Sequence, residues 1–176
     1  MSRFRRSPAK TIALVGIMSA SIECGKLALS FLPNIEVVTL LCALYGYVFG
    51  LLGIVSAIVF VSIEPLIYGF GTWVVAYYLY WPFVAVIFMI LGKIGLKNRF
   101  IHSAVAVLLT VWFGILSSLV DLGLLSGFFD NLWARFSVYY VRGIPFYIAQ
   151  TVCNAVLFVF LFPYLVKRLE FIKQRF

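Results

Sequence analysis

The chain has 176 residues, of which 64% are apolar and only 11% are charged. An ordinary soluble domain has roughly 45–50% apolar and about 25% charged residues, so lipid must cover much of this chain's apolar surface. The net charge of +8 does not indicate a nucleic-acid groove, because most basic residues fall in three short segments outside the apolar runs, at 3–10, 93–99 and 167–175.

In chain order, six apolar runs predict membrane-spanning helices, which need about 20 residues each. Pro33 ends the first run, "YGFGTW" supplies glycines for a turn after the third, and "GKIGLKNRF" is a basic break after the fourth. The sequence thus predicts an all-α bundle of six transmembrane helices in a single domain, 1–176, with helices at about 8–32, 35–49, 51–68, 72–91, 101–122 and 139–166.

The charge distribution predicts which way this bundle faces. Six spans place both termini on one side, and the three basic segments fall on that same side, which the positive-inside rule assigns to the cytoplasm. Glu36, Asp121, Asp130 and Arg135 then fall outside. We therefore expect a multi-pass cell-membrane protein with cytoplasmic termini.

The first predicted helix carries small residues at every fourth position, Gly16, Ala20, Cys24 and Ala28. Such a stripe lets another helix approach closely. Two interpretations stay open at this point: internal packing against a helix of the same chain, or docking of a separate membrane subunit.

The same helix contains "ECGKL", which only partly matches a phosphate-binding loop. That pattern requires Gly at position 20 and Ser or Thr at position 27, where this chain has Ala20 and Leu27. We expect Glu23 and Lys26, three residues apart, to pair with each other instead. The single histidine, His102, has no catalytic partner pattern, so the sequence predicts neither an enzyme, nor a metal site, nor a bound cofactor.

Aromatic and polar residues gather on the predicted outer side. Glu64 precedes Pro65 near the end of the third helix, where an ionisable group is costly unless it is paired or hydrated, and Arg142 is a candidate counter-charge for Glu64 or Glu36. An aromatic-walled pocket with a few polar groups suits a flat heteroaromatic ligand. The predicted binding residues are Asn34, Glu36, Glu64, Tyr68, Trp73, Tyr77, Trp81, Tyr140, Arg142, Tyr147, Gln150 and Asn154.

The segments "LPNIEVVTLL…YGYVFG", "IEPLIYGFGTWVV" and "GIPFYIAQTVCNAVLFVFL", together with six spans and a basic N-terminus, resemble the substrate-binding S components of energy-coupling factor (ECF) transporters. The resemblance covers nearly the whole chain. It implies a bacterial plasma-membrane protein that binds a vitamin or vitamin precursor from outside.

The resemblance also implies a mechanism and partners. The loop that joins helices 1 and 2 would act as a lid over the ligand. In this chain the lid is "LPNIE", with Asn34 and Glu36 as ligand contacts. The small residues of helix 1 would meet a transmembrane coupling subunit, and two ATPase subunits would supply energy. The family's stripe is an alanine pair, whereas this chain has Gly16, Ala20 and Cys24.

Two other functions are compatible with the same composition. A small membrane interaction or assembly protein would use the aromatic side against a partner or lipid and would bind no small molecule. A self-sufficient secondary transporter would have inverted repeats and broken helices at the membrane midplane, and the sequence has neither feature.

Overall fold

The computed structural model describes residues 7–32, 35–128 and 131–174. This part of the chain folds into six helices and contains no strand, so the predicted all-helical class is confirmed. The helices are α1 (Pro8–Ala28), α2 (Val38–Phe49), α3 (Leu51–Tyr68), α4 (Thr72–Lys93), α5 (Arg99–Ser126) and α6 (Leu132–Lys173).

The helices begin and end where local chemistry favours it. The Ser7 hydroxyl accepts a hydrogen bond from the Lys10 backbone N–H at the start of α1, and the Asn98 side chain caps α5. Gly50 separates α2 from α3 with a φ of +64°, and Gly69 ends α3 with a φ of +81°. Both conformations favour glycine because they are strained for residues that carry a Cβ.

Five of these helices are long and apolar enough to cross a membrane, whereas α2 is not. With 12 residues, α2 extends only about 18 Å at 1.5 Å per residue, short of a hydrocarbon core of about 30 Å. Its first turn begins at Val38 rather than at the predicted Ile35. Five of the six predicted spans therefore have the length and hydropathy of membrane-crossing helices, whereas α2 is a short, largely buried helix among them.

Helix α6, in contrast, is longer than the sequence predicted. It contains 42 residues and two internal prolines, Pro145 and Pro163, whereas the sequence predicted a helix over 139–166. Its length of about 63 Å exceeds the thickness of a bilayer with its headgroups, about 40–45 Å. Both ends of α6 therefore extend beyond the predicted span.

Helices α2 and α4 approach each other closely through a glycine. A Cβ added to Gly46 would lie 2.2 Å from the backbone oxygen of Ala85, so no larger residue fits there without a backbone shift. Small residues at helix crossings are typical of membrane bundles. Beside this crossing, the buried rings of Phe88, Phe158 and Phe162 pack within 5.0–5.3 Å of one another.

Contacts between the helices define two ends of the bundle. The Tyr47 hydroxyl at the end of α2 donates to the Leu96 carbonyl oxygen before α5, at 2.6 Å, and Lys173 at the end of α6 donates to the Val48 carbonyl oxygen. We call this the terminal end, since α1 starts and α6 finishes here. The opposite end, where α3 leads into α4, is called the cavity end.

Many large apolar side chains lie on the outside of the bundle. Leu66 is 79% exposed, Ile12 is 73% exposed and Phe160 is 69% exposed. Contiguous apolar surface of this kind is unfavourable in water and favourable in hydrocarbon. The side of the membrane on which the termini lie stays a prediction.

Candidate functional site

A cavity of about 380 Å³ opens at the cavity end of the bundle. It lies among α1, α3, α4, α5, α6 and the segment that precedes α2. Its lining residues are Lys26, Leu29, Ser30, Leu32, Ile35, Glu36, Val38, Phe60, Tyr68, Tyr77, Trp81, Phe113, Phe146, Tyr147 and Gln150.

One wall of this cavity is a column of rings on α4. Trp73, Tyr77 and Trp81 follow one another at intervals of four residues, which places them on one helix face, with ring centroids 5.1 Å and 5.5 Å apart. Phe113 of α5 stacks against Trp81 at 5.9 Å with an interplanar angle of 29°. The Tyr77 and Trp81 rings line the cavity, whereas Trp73 lies beyond it in the same column.

The cation on the cavity wall is Lys26 of α1, and its partner is on another helix. Its ammonium group pairs with the carboxylate of Glu64 on α3, a residue that is fully buried. The same ammonium lies 4.2 Å from the centroid of the Tyr68 ring, at a distance typical of a cation–π contact. The predicted pairing of Lys26 with Glu23 is therefore wrong, because the Lys26 ammonium forms its ion pair with the Glu64 carboxylate.

Glu36 faces the cavity, but its carboxylate already has protein partners. Its Oε2 accepts from the Thr39 backbone N–H at 2.8 Å, and its Oε1 accepts from the Thr39 hydroxyl at 2.6 Å. Asn154 of α6 donates to Oε1 at 2.9 Å and to the Thr110 hydroxyl oxygen of α5 at 3.0 Å. Glu36 thus joins the start of α2 to the α5–α6 pair, and the suggested pairing with Arg142 is not formed.

The predicted binding residues occupy different places around this cavity. Those that line it are Glu36, Tyr68, Tyr77, Trp81, Tyr147 and Gln150. Glu64 and Asn154 lie one layer behind, in contact with Lys26 and Glu36 respectively.

The remaining predicted residues lie elsewhere. Tyr140 lines a separate groove of about 260 Å³ between α5 and α6, and Arg142 is exposed outside the cavity lining. Asn34 lies outside the described residues. The binding role of every one of these residues stays a prediction.

Sequence reasoning missed several lining residues, of which Lys26 is the most informative. A lysine within an apolar helix is costly and marks a functional position by default, and that signal was assigned to a local pair with Glu23. Phe60, Phe113 and Phe146 also line the cavity. Phenylalanines are abundant throughout this sequence, so no local pattern distinguishes these three.

One polar group on the cavity wall lacks a protein partner among the described residues. The indole N–H of Trp81 finds no acceptor among the described residues, although the residue is only 3% exposed. Burying a hydrogen-bond donor without a partner costs about 1–3 kcal/mol of desolvation free energy. The Trp81 N–H has almost no accessible surface, so the rings offer a ligand in this cavity their faces and edges. His102 lies far from this site, buried against Tyr47 and Phe162.

The small-residue stripe of α1 faces outward. Gly16, Ala20 and Cys24 are all exposed, and a Cβ added to Gly16 would meet nothing within 4 Å. Internal packing, one of the two interpretations of this stripe, is therefore wrong.

No protein-family model, no curated protein and no solved structure matches this chain.

Proposed function

We propose that this chain is the membrane-embedded binding subunit for a vitamin or vitamin precursor, which is taken up together with an ATP-driven coupling module. The observation that carries the proposal is the aromatic cavity at the cavity end, opposite the basic terminal end. Its volume of about 380 Å³ lies within the usual range for small-molecule pockets, roughly 300–1,000 Å³.

The cavity also narrows the class of ligand. The Tyr77, Trp81 and Phe113 rings offer faces and edges to a flat ring, and a small volume favours a pterin-, pyrimidine- or pyridine-sized molecule over a corrinoid. Polar atoms at the edge of the ligand would hydrogen-bond to the Gln150 amide, which lines the cavity.

Energy for uptake would come from partner subunits. The chain's nearest approach to a phosphate-binding loop lacks the required residues at Ala20 and Leu27. The exposed small residues of α1 support docking of a coupling subunit, because another helix can approach the backbone closely there. The resemblance of the segments "LPNIEVVTLL…YGYVFG" and "IEPLIYGFGTWVV" to S components is a further reason for this assignment.

A bulky substitution on the α1 stripe tests this proposal. We would express the tagged chain in a bacterium that contains an ECF module, extract it in mild detergent and identify the co-purifying proteins. Ala20→Trp should lose a transmembrane coupling subunit and two ATPases that the unmodified chain retains. Ala104→Trp is the matched control, since Ala104 is an exposed alanine of α5.

Two outcomes would contradict the proposal. One is the absence of any ATPase from the unmodified chain's preparation, which would favour an interaction or assembly protein. The other is accumulation of a solute by vesicles that contain only this chain, which would indicate a self-sufficient transporter.

A further inference from the structure

A second concave surface lies at the terminal end, far from the aromatic cavity. It is a groove of about 640 Å³ between the start of α5 and the last third of α6. Its lining combines three cations, Lys97, Arg99 and Lys167, with apolar side chains. The proposed uptake function makes no use of this groove.

The three cations have no carboxylate partner. The only ion pair among the described residues joins Lys26 to Glu64 at the other end of the bundle. Glu170, the acid on α6, lines an adjoining pocket of about 150 Å³ together with Lys97 and Lys167, but it forms no ion pair with either of them and does not line the groove itself. A fourth cation, Arg168, donates from Nε to the hydroxyl oxygen of Tyr164 on the groove wall, at 3.2 Å.

The backbone N–H groups at the start of α5 are not free to bind an anion. The Asn98 side chain already accepts from the Phe100 backbone N–H at 2.9 Å and from the Ile101 backbone N–H at 3.4 Å. A ligand anion would therefore be bound by side-chain charge, from Lys97, Arg99 and Lys167. Arginine and lysine side chains are the usual partners of phosphate.

The groove changes character along α6. Val159, Phe160 and Pro163 form its apolar part, and Val159 lies eight residues before Lys167, about 12 Å along the helix. Phe160 is 69% exposed. The groove therefore has cations at the bundle's end and apolar surface one to two turns deeper.

We propose that this groove binds an anionic phospholipid of the adjacent leaflet, with its phosphate among Lys97, Arg99 and Lys167 and an acyl chain along Val159, Phe160 and Pro163. Two observations favour a lipid over a free phosphate: the apolar part of the groove, and its position at the end of a spanning helix. Basic pockets between transmembrane helices are known to recognise anionic headgroups in this way.

Native mass spectrometry of the full chain in detergent tests this proposal. Phosphatidylglycerol should remain bound, and phosphatidylcholine with the same acyl chains should bind much more weakly. Because each basic side chain near an anionic surface contributes about 1 kcal/mol, the double variant K97Q/K167Q should bind phosphatidylglycerol about 30-fold more weakly. The matched control K10Q/K93Q removes two lysines that lie outside the groove lining and should bind normally.

A competition arm separates the two sources of phosphate. Inorganic phosphate in large excess should leave the phosphatidylglycerol bound. The proposal is overturned if inorganic phosphate displaces the lipid, if phosphatidylcholine binds equally well, or if K97Q/K167Q and K10Q/K93Q weaken binding equally. The melting temperature of K97Q/K167Q shows whether this variant is folded. If it is unfolded, the single variants K97Q and K167Q replace it, and each should weaken binding about five-fold.

Discussion

Lys26 of α1 forms an ion pair with Glu64 of α3, and this pair closes one side of the aromatic cavity. The two helices run in the same direction, because Ser19 of α1 also donates to the Ser56 carbonyl oxygen of α3, at 3.0 Å. Lys26 thus has two roles: it neutralises a fully buried carboxylate, and it presents a cation beside the Tyr68 ring.

Removing the lysine should destabilise the protein strongly. Lys26→Met leaves the Glu64 carboxylate buried without its partner, a change that costs about 3–5 kcal/mol for fully buried pairs. We expect the low end of that range, about 3 kcal/mol, because the Lys26 side chain keeps 26% of its surface exposed. The melting temperature in detergent measures the effect.

The double variant K26M/E64M serves as the control for this prediction. It replaces both partners with apolar side chains of similar length, and such replacements of buried pairs are often neutral or stabilising. A melting temperature of K26M equal to that of the unmodified chain would show that the pair does not stabilise the fold.

Glu36→Ala should also lower stability. The substitution removes the acceptor for the Thr39 backbone N–H and for the Asn154 amide, and the loss of a helix-capping acceptor and a side-chain bond corresponds to about 2 kcal/mol. Glu36→Gln keeps one acceptor oxygen and should lose less. Equal unfolding midpoints for the three proteins would argue against a structural role of the carboxylate.

Alanine substitutions of two glycines, Gly46 at the crossing of α2 and α4 and Gly16 on the exposed face of α1, should have different effects on stability. Gly46→Ala should destabilise the protein by about 2–3 kcal/mol, the usual cost of overpacking, since the new Cβ would meet the Ala85 backbone. Gly16→Ala should stabilise the protein slightly, by up to about 1 kcal/mol, because the new Cβ meets nothing and alanine is the better helix former. Thermal unfolding of both variants checks the contrast, and a large loss for Gly16→Ala would contradict the outward position of the α1 stripe.

Cysteine labelling tests which way the bundle faces. In a background without Cys24, Cys42 and Cys153, we would introduce K10C at the terminal end and S30C at the rim of the cavity. A membrane-impermeant maleimide applied to intact cells should label S30C, and it should reach K10C only after permeabilisation, as the positive-inside rule predicts. The reverse pattern would place the cavity in the cytoplasm.

Much of the helical framework could be predicted from local sequence. Apolar runs punctuated by glycine and charge identified α3 and α4 to within a few residues. The tie between the start of α2 and α6 could not be predicted, because Glu36 accepts from Asn154, which is distant in sequence. The length of α6 was missed because Arg135 and Arg142 interrupt its apolar run, whereas the helix continues through both residues.

The cavity was predictable only where its residues share one helix. Tyr77 and Trp81 lie four residues apart on α4, so the sequence alone indicates a common aromatic face. The role of Lys26 required knowing that α1 packs beside α3, since its nearest acid in sequence is Glu23 and its partner in space is Glu64. Tyr140 shows the opposite error, because it is near in sequence to cavity residues but lines another groove.

Two adjacent tyrosines on α4, Tyr77 and Tyr78, provide a test variant and a matched control for ligand binding in the cavity. Tyr77 lines it, whereas Tyr78 is 43% exposed and bonds to the Ser62 hydroxyl at 2.9 Å. Removing a stacking ring worth up to about 1.5 kcal/mol should weaken ligand binding by up to about tenfold. Tyr77→Ala should therefore lose affinity, and Tyr78→Ala should keep it.

Mass spectrometry of small molecules that co-purify with the detergent-extracted chain tests the binding role most directly. We predict one ring-containing compound in near-stoichiometric amount with the unmodified chain and with Tyr78→Ala, and its loss from folded Tyr77→Ala. No such compound in any of the three preparations, or equal amounts in all of them, would contradict a ligand site in this cavity.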